Sequence, residues 1–191
     1  MDLSIFNNTH PLEEGVLSEL ENHWIHEKNF QKGEALINPG QKENYLYFVH
    51  SGSFKIYYPT SEQDVVAGFA YSNTFICAYP SFINQKASTY GIECISPAKL
   101  TGIHRDNFYQ LCDAHRSLEI CWRKLTEQAL LGKIEREMDI LSLNPEERYI
   151  KLYERSPHVF QIIPQKYLAS YLGMSPETFS RVKKRLLQKG N

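Results

Sequence analysis

The sequence predicts an α+β protein in which an N-terminal antiparallel β-roll, of the jelly-roll kind, is followed by a long helix and a C-terminal helix-turn-helix. Three observations support this order: short β-rich runs separated by turn residues, a long proline-free stretch after residue 105, and a bihelical pattern over residues 164–187. We expect three parts, spanning residues 1–105, 106–143 and 144–191.

The first part is predicted to begin with helices and to continue as strands. Residues 1 to about 27 carry apolar side chains at helical spacing, namely Leu12, Val16, Leu17, Leu20 and Trp24. Six short β-rich runs follow, at residues 35–37, 45–49, 54–58, 65–71, 90–95 and 99–104. Turn residues such as Pro39-Gly40, Ser51-Gly52-Ser53 and Ser96-Pro97 separate these runs, as in an antiparallel sandwich or jelly roll.

The second part, residues 106–143, contains no proline and a single glycine, so we predict one long helix. It carries two apolar stripes, of which either alone would suit a helix buried inside one domain. Two stripes together favour a helix that packs on its own domain and on a second copy, which predicts a homodimer. The predicted dimer face is Leu118, Trp122, Leu125, Ala129 and Gly132, and the other stripe is Leu130, Ile134, Met138 and Leu141.

The third part is predicted to start at a hinge between Leu143 and Asn144. Asn144 is a good N-cap and Pro145 a good first-turn residue, so a helix is expected from there to about Arg155. Residues 159–163 are read as a short strand leading into the bihelical pattern.

The bihelical pattern is typical of a DNA-binding helix-turn-helix. Two short helices that cross steeply need a small residue where they approach and a turn residue that tolerates positive φ, and Ala169 and Gly173 supply these. Ser175 is a suitable N-cap for a recognition helix over residues 176–188. The apolar wedge between the helices is predicted to be Leu168, Leu172, Phe179, Val182 and Leu186. A short helical hairpin without DNA-binding function is the alternative.

Charge is distributed unevenly along the chain. The net charge is −1, but residues 164–191 hold six cations against one anion, a local charge of +5. The remaining 15 cations and 21 anions leave −6 upstream. An acidic body with a basic end is expected of a protein that touches phosphate with one small face, although a basic run can also be a solvated helix surface.

Composition excludes several classes. No apolar run reaches the length of a membrane helix and no signal pattern is present, so we expect a cytoplasmic protein without a membrane partner. The four cysteines show neither CxxC spacing nor clustering, and His23-x-x-His26 suits a surface helix, so no structural metal is predicted. No nucleophile elbow, phosphate loop or catalytic carboxylate pair stands out, which argues against an enzyme.

The motifs resemble those of the Crp/Fnr family of bacterial transcription regulators over nearly the whole chain. Phe30-x-Lys-Gly-Glu34, Pro39-Gly40 and Leu46-Tyr-Phe-Val49 are similar to the opening of the family's effector domain. Pro145-Glu-Glu-Arg-Tyr149 and Ile163-Pro-Gln-Lys-Tyr-Leu-Ala-Ser-Tyr-Leu-Gly173 resemble its DNA-binding domain. The resemblance implies a dimer that reads a near-palindromic operator, with RNA polymerase and a small-molecule effector as further candidate partners.

The family's recognition helix often bears Glu-x-x-Ser-Arg, which matches Glu177, Ser180 and Arg181 here. The resemblance implies half-sites of the TTGA kind, with Glu177 accepting from cytosine and Arg181 forking onto guanine. An ion pair between Glu177 and Arg181 is the alternative role for these two residues. The remaining predicted DNA contacts are Gln165, Lys166, Tyr167, Ser175, Lys183, Lys184 and Lys189.

The effector stays unidentified. The family's cyclic-AMP branch uses a Gly-Glu start and an Arg-Ser pair, whereas this chain has no Gly-Glu there and Ser88-Thr89 in place of Arg-Ser, so cyclic AMP is not expected. An iron-sulfur cluster is not expected either, because the first cysteine is Cys77. An aromatic-rich set is either an effector pocket or packed core: Phe69, Tyr71, Phe75, Tyr79, Phe82, Ser88, Thr89 and Trp122. A ligand-binding module whose helix-turn-helix docks protein is the alternative function.

Overall fold

A computed structural model describes residues 4–189 and has the predicted α+β architecture, a β-roll with flanking helices followed by a helical domain. Two helices, α1 (Ser4–Thr9) and α2 (Val16–His23), precede the sheet. The strands are β1 (His26–Phe30), β2 (Ala35–Ile37), β3 (Tyr45–Tyr58), β4 (Val65–Tyr71), β5 (Thr74–Ile76) and β6 (Gly91–His104), with α3 (Tyr79–Asn84) between β5 and β6.

Two 14-residue strands form the backbone of the roll. β3 and β6 pair antiparallel from Tyr45↔His104 to Tyr57↔Gly91, and the strand order is β1-β6-β3-β4, with β2 on β6 and β5 on β3. The predicted runs 45–49 and 54–58 are therefore one strand, as are 90–95 and 99–104.

The residues predicted as a turn at 51–53 form a bulge instead. The register shifts between Val49 and Phe54, and Gly52 has a φ of +84°. A Cβ on Gly52 would lie 2.5 Å from that of Ala98, so glycine permits both the left-handed backbone and the close approach of β6. Turn-forming residues can thus kink a strand without ending it.

Other strand predictions had mixed outcomes. The runs 35–37 and 65–71 are confirmed as β2 and β4, whereas β1, β5 and α3 were not predicted. In β1, the exposed Glu27 and Asn29 alternate with the partly buried His26 and Lys28, Phe30 is its buried residue, and the strand pairs with β6; β5 has three residues. Such short, polar or edge segments carry little periodic signal.

The predicted long helix is broken at His115 into α4 (Arg105–Ala114) and α5 (Arg116–Ser142). His115 is extended, with φ −124° and ψ 105°. The break lets α4 bury Phe108 and Leu111, and α5 bury Leu118 and Cys121, in one shared core. Neither proline nor glycine marks this point, which is why the sequence predicts a continuous helix.

The C-terminal helices are α6 (Pro145–Arg155), α7 (Val159–Ile162), α8 (Gln165–Tyr171) and α9 (Pro176–Lys189). Asn144 begins α6 with a capping box in which its side chain accepts from the backbone N–H of Glu147 while Glu147 accepts from that of Asn144. The strand predicted at 159–163 is wrong: this segment is a helical turn that buries Val159 and Ile163. Two apolar residues four positions apart fit a helical turn, and a run of five residues is too short for its periodicity to distinguish a helix from a strand.

The apolar side chains form three clusters. One lies between α1, α2, α4, α5 and the roll, and a second fills the roll around Phe54, Ile92 and Leu100. The third is the core of the C-terminal helices, and it includes Ile95, Phe69 and Tyr71 from the roll. The C-terminal domain therefore packs directly against the β-roll.

Candidate nucleic-acid interface and the roll interior

α8 and α9 form the helix-turn-helix with the predicted wedge at their crossing. Leu168, Ala169 and Phe179 are almost completely buried, Leu172 and Val182 are buried, and Leu186 is partly buried against the same cluster. Gly173 has a φ of +64°, as the tight turn requires.

The first turn of α9 is capped and carries the expected acid. The Ser175 hydroxyl accepts from the backbone N–H of Thr178 at 3.2 Å, and Pro176 follows at the first helical position. The backbone N–H of Glu177 and the Ser175 hydroxyl donate to the Glu177 carboxylate, and with the Arg181 cation they lower its pKa. Glu177 therefore stays ionised and able to accept hydrogen bonds near neutral pH.

The outward face of α9 holds the predicted base-reading residues side by side. Glu177, Ser180, Arg181 and Lys184 are all exposed. The Arg181 guanidinium donates to Thr178 Oγ1 at 3.3 Å, and the ion pairs found among residues 4–189 do not include one between Glu177 and Arg181. Both side chains thus keep hydrogen-bonding groups directed at solvent.

The other predicted DNA contacts differ in how exposed they are. Gln165, Lys166 and Lys184 are exposed, and Lys183 is partly exposed. Ser175 is used for capping, and the side chain of Lys189 lies outside the described residues. Arg185, which was not among the predicted contacts, is exposed and pairs with Glu146 of α6, with its Nη1 3.0 Å from the carboxylate.

Tyr167 faces the roll rather than solvent, beside a lysine that the predictions missed. The buried Lys55 ammonium lies 4.9 Å from the centre of the Tyr167 ring and 3.3 Å from both Asp64 and Glu93. Burial alone would lower the pKa of Lys55, but Glu93, Tyr167 and Asp64 outweigh it and raise the pKa. Tyr167 is therefore part of an interdomain contact.

The predicted effector-pocket residues do not converge on one cavity. Trp122 of α5 contacts Phe75 and Tyr79, with ring centres 5.9 and 6.4 Å apart, and Phe82 is fully buried in the same cluster. Phe69 and Tyr71 instead face the C-terminal domain, where they lie against Tyr171 and His158. The rings belong to two separate apolar clusters, so they do not surround one common pocket.

The segment that would hold a cyclic phosphate does not fit one. Its only cation, Lys86, is exposed, and Thr89 is exposed as well. The Ser88 hydroxyl is buried and donates to the Tyr90 carbonyl at 2.7 Å. The buried Glu43 carboxylate accepts from the backbone N–H groups of Asn44 and Tyr45 at 3.1 Å, where an anion would oppose a phosphate. A phosphate would have no buried cation in this segment, and the Ser88 hydroxyl is already used.

The cysteines are buried and protonated. Burial raises the pKa of Cys112 to about 12 and that of Cys121 to about 11, and it raises that of Cys77 and Cys94 as well. Thiols of this kind are poor nucleophiles and poor metal ligands at neutral pH. Within residues 4–189, no group of three or more His, Cys, Asp or Glu side chains is arranged to hold a metal ion.

Three residues of the dimer face predicted on α5 pack against the same protein chain. Leu118 is fully buried, and Trp122 and Leu125 pack against the same core, while Ala129 is exposed and a Cβ on Gly132 would have no neighbour within 4 Å. The apolar residues that remain exposed lie on the other stripe and include one unpredicted residue, Leu131: they are Leu130, Leu131, Ile134, Met138 and Leu141. This set is named the "α5 stripe"; of the predicted dimer face, Leu118, Trp122 and Leu125 pack within the chain.

No helix of the described part combines the length and apolarity needed to cross a bilayer.

Comparison with known proteins agrees with this architecture. The profile of the cyclic nucleotide-binding domain family matches residues 27–115. The fumarate and nitrate reduction regulatory protein of Yersinia pestis is 26% identical over 94% of this chain and 76% of its own length. The c-di-GMP responsive global regulator CLP of Xanthomonas campestris has a similar fold, with a TM-score of 0.70, 21% identity and 93% of each chain covered.

FixK2 of Bradyrhizobium japonicum also shares the fold, with a TM-score of 0.71 and 16% identity over 86% of this chain and 85% of its own. The two solved structures support the fold, and the matched domain and the Yersinia relative add the likeness in sequence. Together with the order of roll, long helix and helix-turn-helix, they show that the chain is similar to the Crp/Fnr family of transcription regulators, with a cyclic nucleotide-binding domain profile over residues 27–115.

Proposed function

We propose that this protein is a dimeric transcription regulator that binds a near-palindromic operator with one α9 helix in each half-site. The single observation that carries the proposal is the exposed row of Glu177, Ser180 and Arg181 on a capped, well-packed recognition helix. A carboxylate and a guanidinium one turn apart suit cytosine N4 and guanine O6 and N7 in the major groove. Half-sites of the TTGA kind are the proposed target.

The α5 stripe supports the dimer. Leu131, Ile134, Met138 and Leu141 are spaced three, four and three residues apart, which is the a/d spacing of a two-stranded coiled coil. Their exposed fractions run from 47% for Ile134 to 76% for Leu141. Two-fold symmetry about this stripe would set the two α9 helices about 34 Å apart, one turn of DNA.

The proposal includes control by an effector other than a cyclic nucleotide, because the only cation in the segment that would hold the phosphate is the exposed Lys86. The buried Lys55 of the roll is paired with Asp64 and Glu93. It also places the protein in the cytoplasm, with RNA polymerase as a partner, and assigns it no catalytic step.

The test is DNA binding by Arg181→Ala. We expect the wild-type protein to bind a duplex with two TTGA half-sites more tightly than a scrambled duplex, by fluorescence anisotropy at physiological salt. Arg181→Ala should lose about 1–3 kcal/mol per half-site and most of the preference. The matched control is Arg116→Ala, which removes an exposed arginine paired with Glu119 far from α9 and should bind as wild type does.

Equal affinity of the wild-type protein for both duplexes would refute sequence-specific binding, and so would an Arg181→Ala variant that binds the operator as wild type does. A helix-turn-helix that docks protein would show no salt-dependent retention of DNA.

A further inference from the structure

The first helix of the helix-turn-helix has two buried faces. Leu168 and Ala169 face α9, while Ser170 and Tyr171 face β4 of the roll. The Ser170 hydroxyl accepts from the backbone N–H of Val66 at 2.9 Å, and the Tyr171 ring lies 5.3 Å from that of Phe69. α8 is therefore held on the sheet as well as on its partner helix.

Arg136 of α5 also contacts this interface and bonds to both α8 and β4. Its Nε and Nη2 donate to the Tyr171 carbonyl at 3.1 and 2.7 Å, and Nη2 also donates to the Val66 carbonyl at 3.3 Å. The guanidinium lies 4.4 Å from the centre of the Tyr171 ring. Since Tyr171 is the last residue of α8, its carbonyl lacks a partner within the helix, and the arginine supplies one.

Arg136 thus joins the long helix, the roll and the helix-turn-helix at a single point, which we call the Arg136 junction: Arg136, Val66, Ser170 and Tyr171. Lys133, one turn earlier on the same face, reaches only the roll, where its Nζ donates to the Ala67 carbonyl at 2.9 Å. The α5 stripe lies on the opposite face of the helix. The residues of the proposed dimer contact and Arg136 therefore lie on opposite faces of the same helix.

The covalent link between α5 and α6 does not fix the domain by itself. Leu143 is extended, with φ −103° and ψ 148°, and only Asn144 stands between it and α6. Two ion pairs also cross this boundary: Lys151–Asp139, in which the Asp139 side chain is only 14% exposed, and Arg155–Glu135, in which both groups are exposed. Their exposed partners are open to screening by salt, and both pairs join α5 to α6 rather than to α8 or the roll. The partly buried fork of Arg136, with charge-assisted bonds to two carbonyls, is the stronger constraint.

We propose that Arg136 is a positioning residue for DNA binding, which sets the distance and angle between the two recognition helices by holding α8 to the dimer helix and the roll. The inference rests on the proposed function. In the docked arrangement, Glu177, Ser180 and Arg181 of α9 all remain exposed, so the junction presents the reading face rather than covering it. Its role would be to make both half-sites reachable at once.

The experiment compares full operators of varied half-site spacing with a duplex that carries one half-site. Arg136→Met should weaken binding to the best-spaced operator roughly tenfold or more and flatten the dependence on spacing, because simultaneous engagement supplies avidity. Affinity for the single half-site should not change, because α9 itself is intact. Arg136→Lys, which keeps the charge but cannot form the fork, should behave like Arg136→Met.

The matched control is Lys133→Met, which removes a neighbouring cation that contacts the roll alone and should leave the spacing profile as in wild type. Sedimentation velocity on each variant verifies that the oligomeric state is unchanged.

Three results would overturn the inference: an unchanged spacing profile, an equal loss on half-site and full operator, or tighter binding by Arg136→Met. The last would mean that the junction restrains the helix-turn-helix. Failure of the wild-type protein to prefer any operator over a scrambled duplex would instead count against the proposed function.

Discussion

The polar side chains inside the β-roll and those on the outer face of α9 differ in solvent exposure and in their hydrogen-bond partners. In the roll, the Glu43 carboxylate accepts from backbone amides and the Ser88 hydroxyl donates to a neighbouring carbonyl, both out of contact with solvent. On α9, Glu177, Ser180 and Arg181 are exposed. Groups already satisfied inside a core have little capacity for a ligand, whereas exposed groups on a rigid helix can exchange water for a partner.

The difference assigns separate tasks to the two regions. The part of the chain that matches the cyclic nucleotide-binding domain has a packed apolar interior, and the proposed recognition lies on one helix face at the other end of the chain. Three substitutions test this contrast in the roll and in the helix-turn-helix, and a fourth tests the α5 stripe.

The largest expected effect is on the packed aromatic core. Phe82→Ala should destabilise the protein by about 3–5 kcal/mol in urea unfolding followed by circular dichroism, because Phe82 is fully buried and its loss leaves a cavity. Ile83→Ala, at a neighbouring residue that is 43% exposed, should cost about 1 kcal/mol or less. A loss below about 1 kcal/mol for Phe82→Ala would mean that the ring borders an open effector pocket.

The second effect concerns the α5 stripe, which belongs to neither region. Met138 is 58% exposed, and Met138→Ser should weaken self-association roughly ten- to a hundredfold in sedimentation equilibrium, because both copies lose apolar burial. Ile25→Ser, which removes an apolar side chain that is 72% exposed on the roll, should leave association unchanged. Equal association constants for Met138→Ser and wild type would place the dimer contact elsewhere.

A third, smaller effect is expected at the turn of the helix-turn-helix. Gly173→Ala should cost about 1–2 kcal/mol in thermal unfolding, since Gly173 has positive φ and the new Cβ would lie 3.1 Å from Arg148 Nη1. Gly132→Ala is the control with the opposite sign: its Cβ has open space within α5, and alanine is the better helix former. If Gly173→Ala were as stable as wild type, the turn would not depend on the left-handed conformation.

The smallest effect is a pH dependence inside the roll. Burial raises the pKa of Glu43 above its ordinary value, so the ionised carboxylate is less favourable in the folded state than in the unfolded chain. The stability that protonated Glu43 contributes is present below the ordinary glutamate pKa and is lost as the pH rises through the raised one.

Glu43→Gln should therefore stabilise the protein most at neutral pH, and the gain should shrink as the pH falls towards the ordinary glutamate pKa. Thermal unfolding of both proteins between these limits measures it. A gain that grows on acidification would mean that the pKa is lowered, not raised.

The helix-turn-helix could be predicted in detail because its signal is local. Ala169, Gly173 and Phe179 lie within one bihelical unit, so helical spacing and turn chemistry specify the crossing directly. For the roll, the antiparallel β class was predicted correctly but the strand boundaries were not, because β3 and β6 pair residues up to 59 positions apart. Whether Ser51-Gly52-Ser53 turns the chain or bulges a strand depends on the partner strand, which local sequence does not contain.

The same limit applies to the site residues. Glu177, Ser180 and Arg181 could be named from a motif, and the structure places all three on one exposed face. Tyr167 was predicted to meet DNA but faces Lys55, and Arg136 carried no sequence signal, because isolated cations on a long helix are ordinary.

The sequence by itself determined the α+β class, the order of roll, long helix and helix-turn-helix, and the helix face that carries Glu177, Ser180 and Arg181, since these depend on composition and short-range periodicity. Only the tertiary structure decided which stripe of α5 stays exposed, that the aromatic side chains of the predicted effector pocket divide between two clusters, and that Arg136 joins three elements. Burial and hydrogen bonding between segments far apart in the chain depend on which surfaces meet, and that is settled when the whole chain packs.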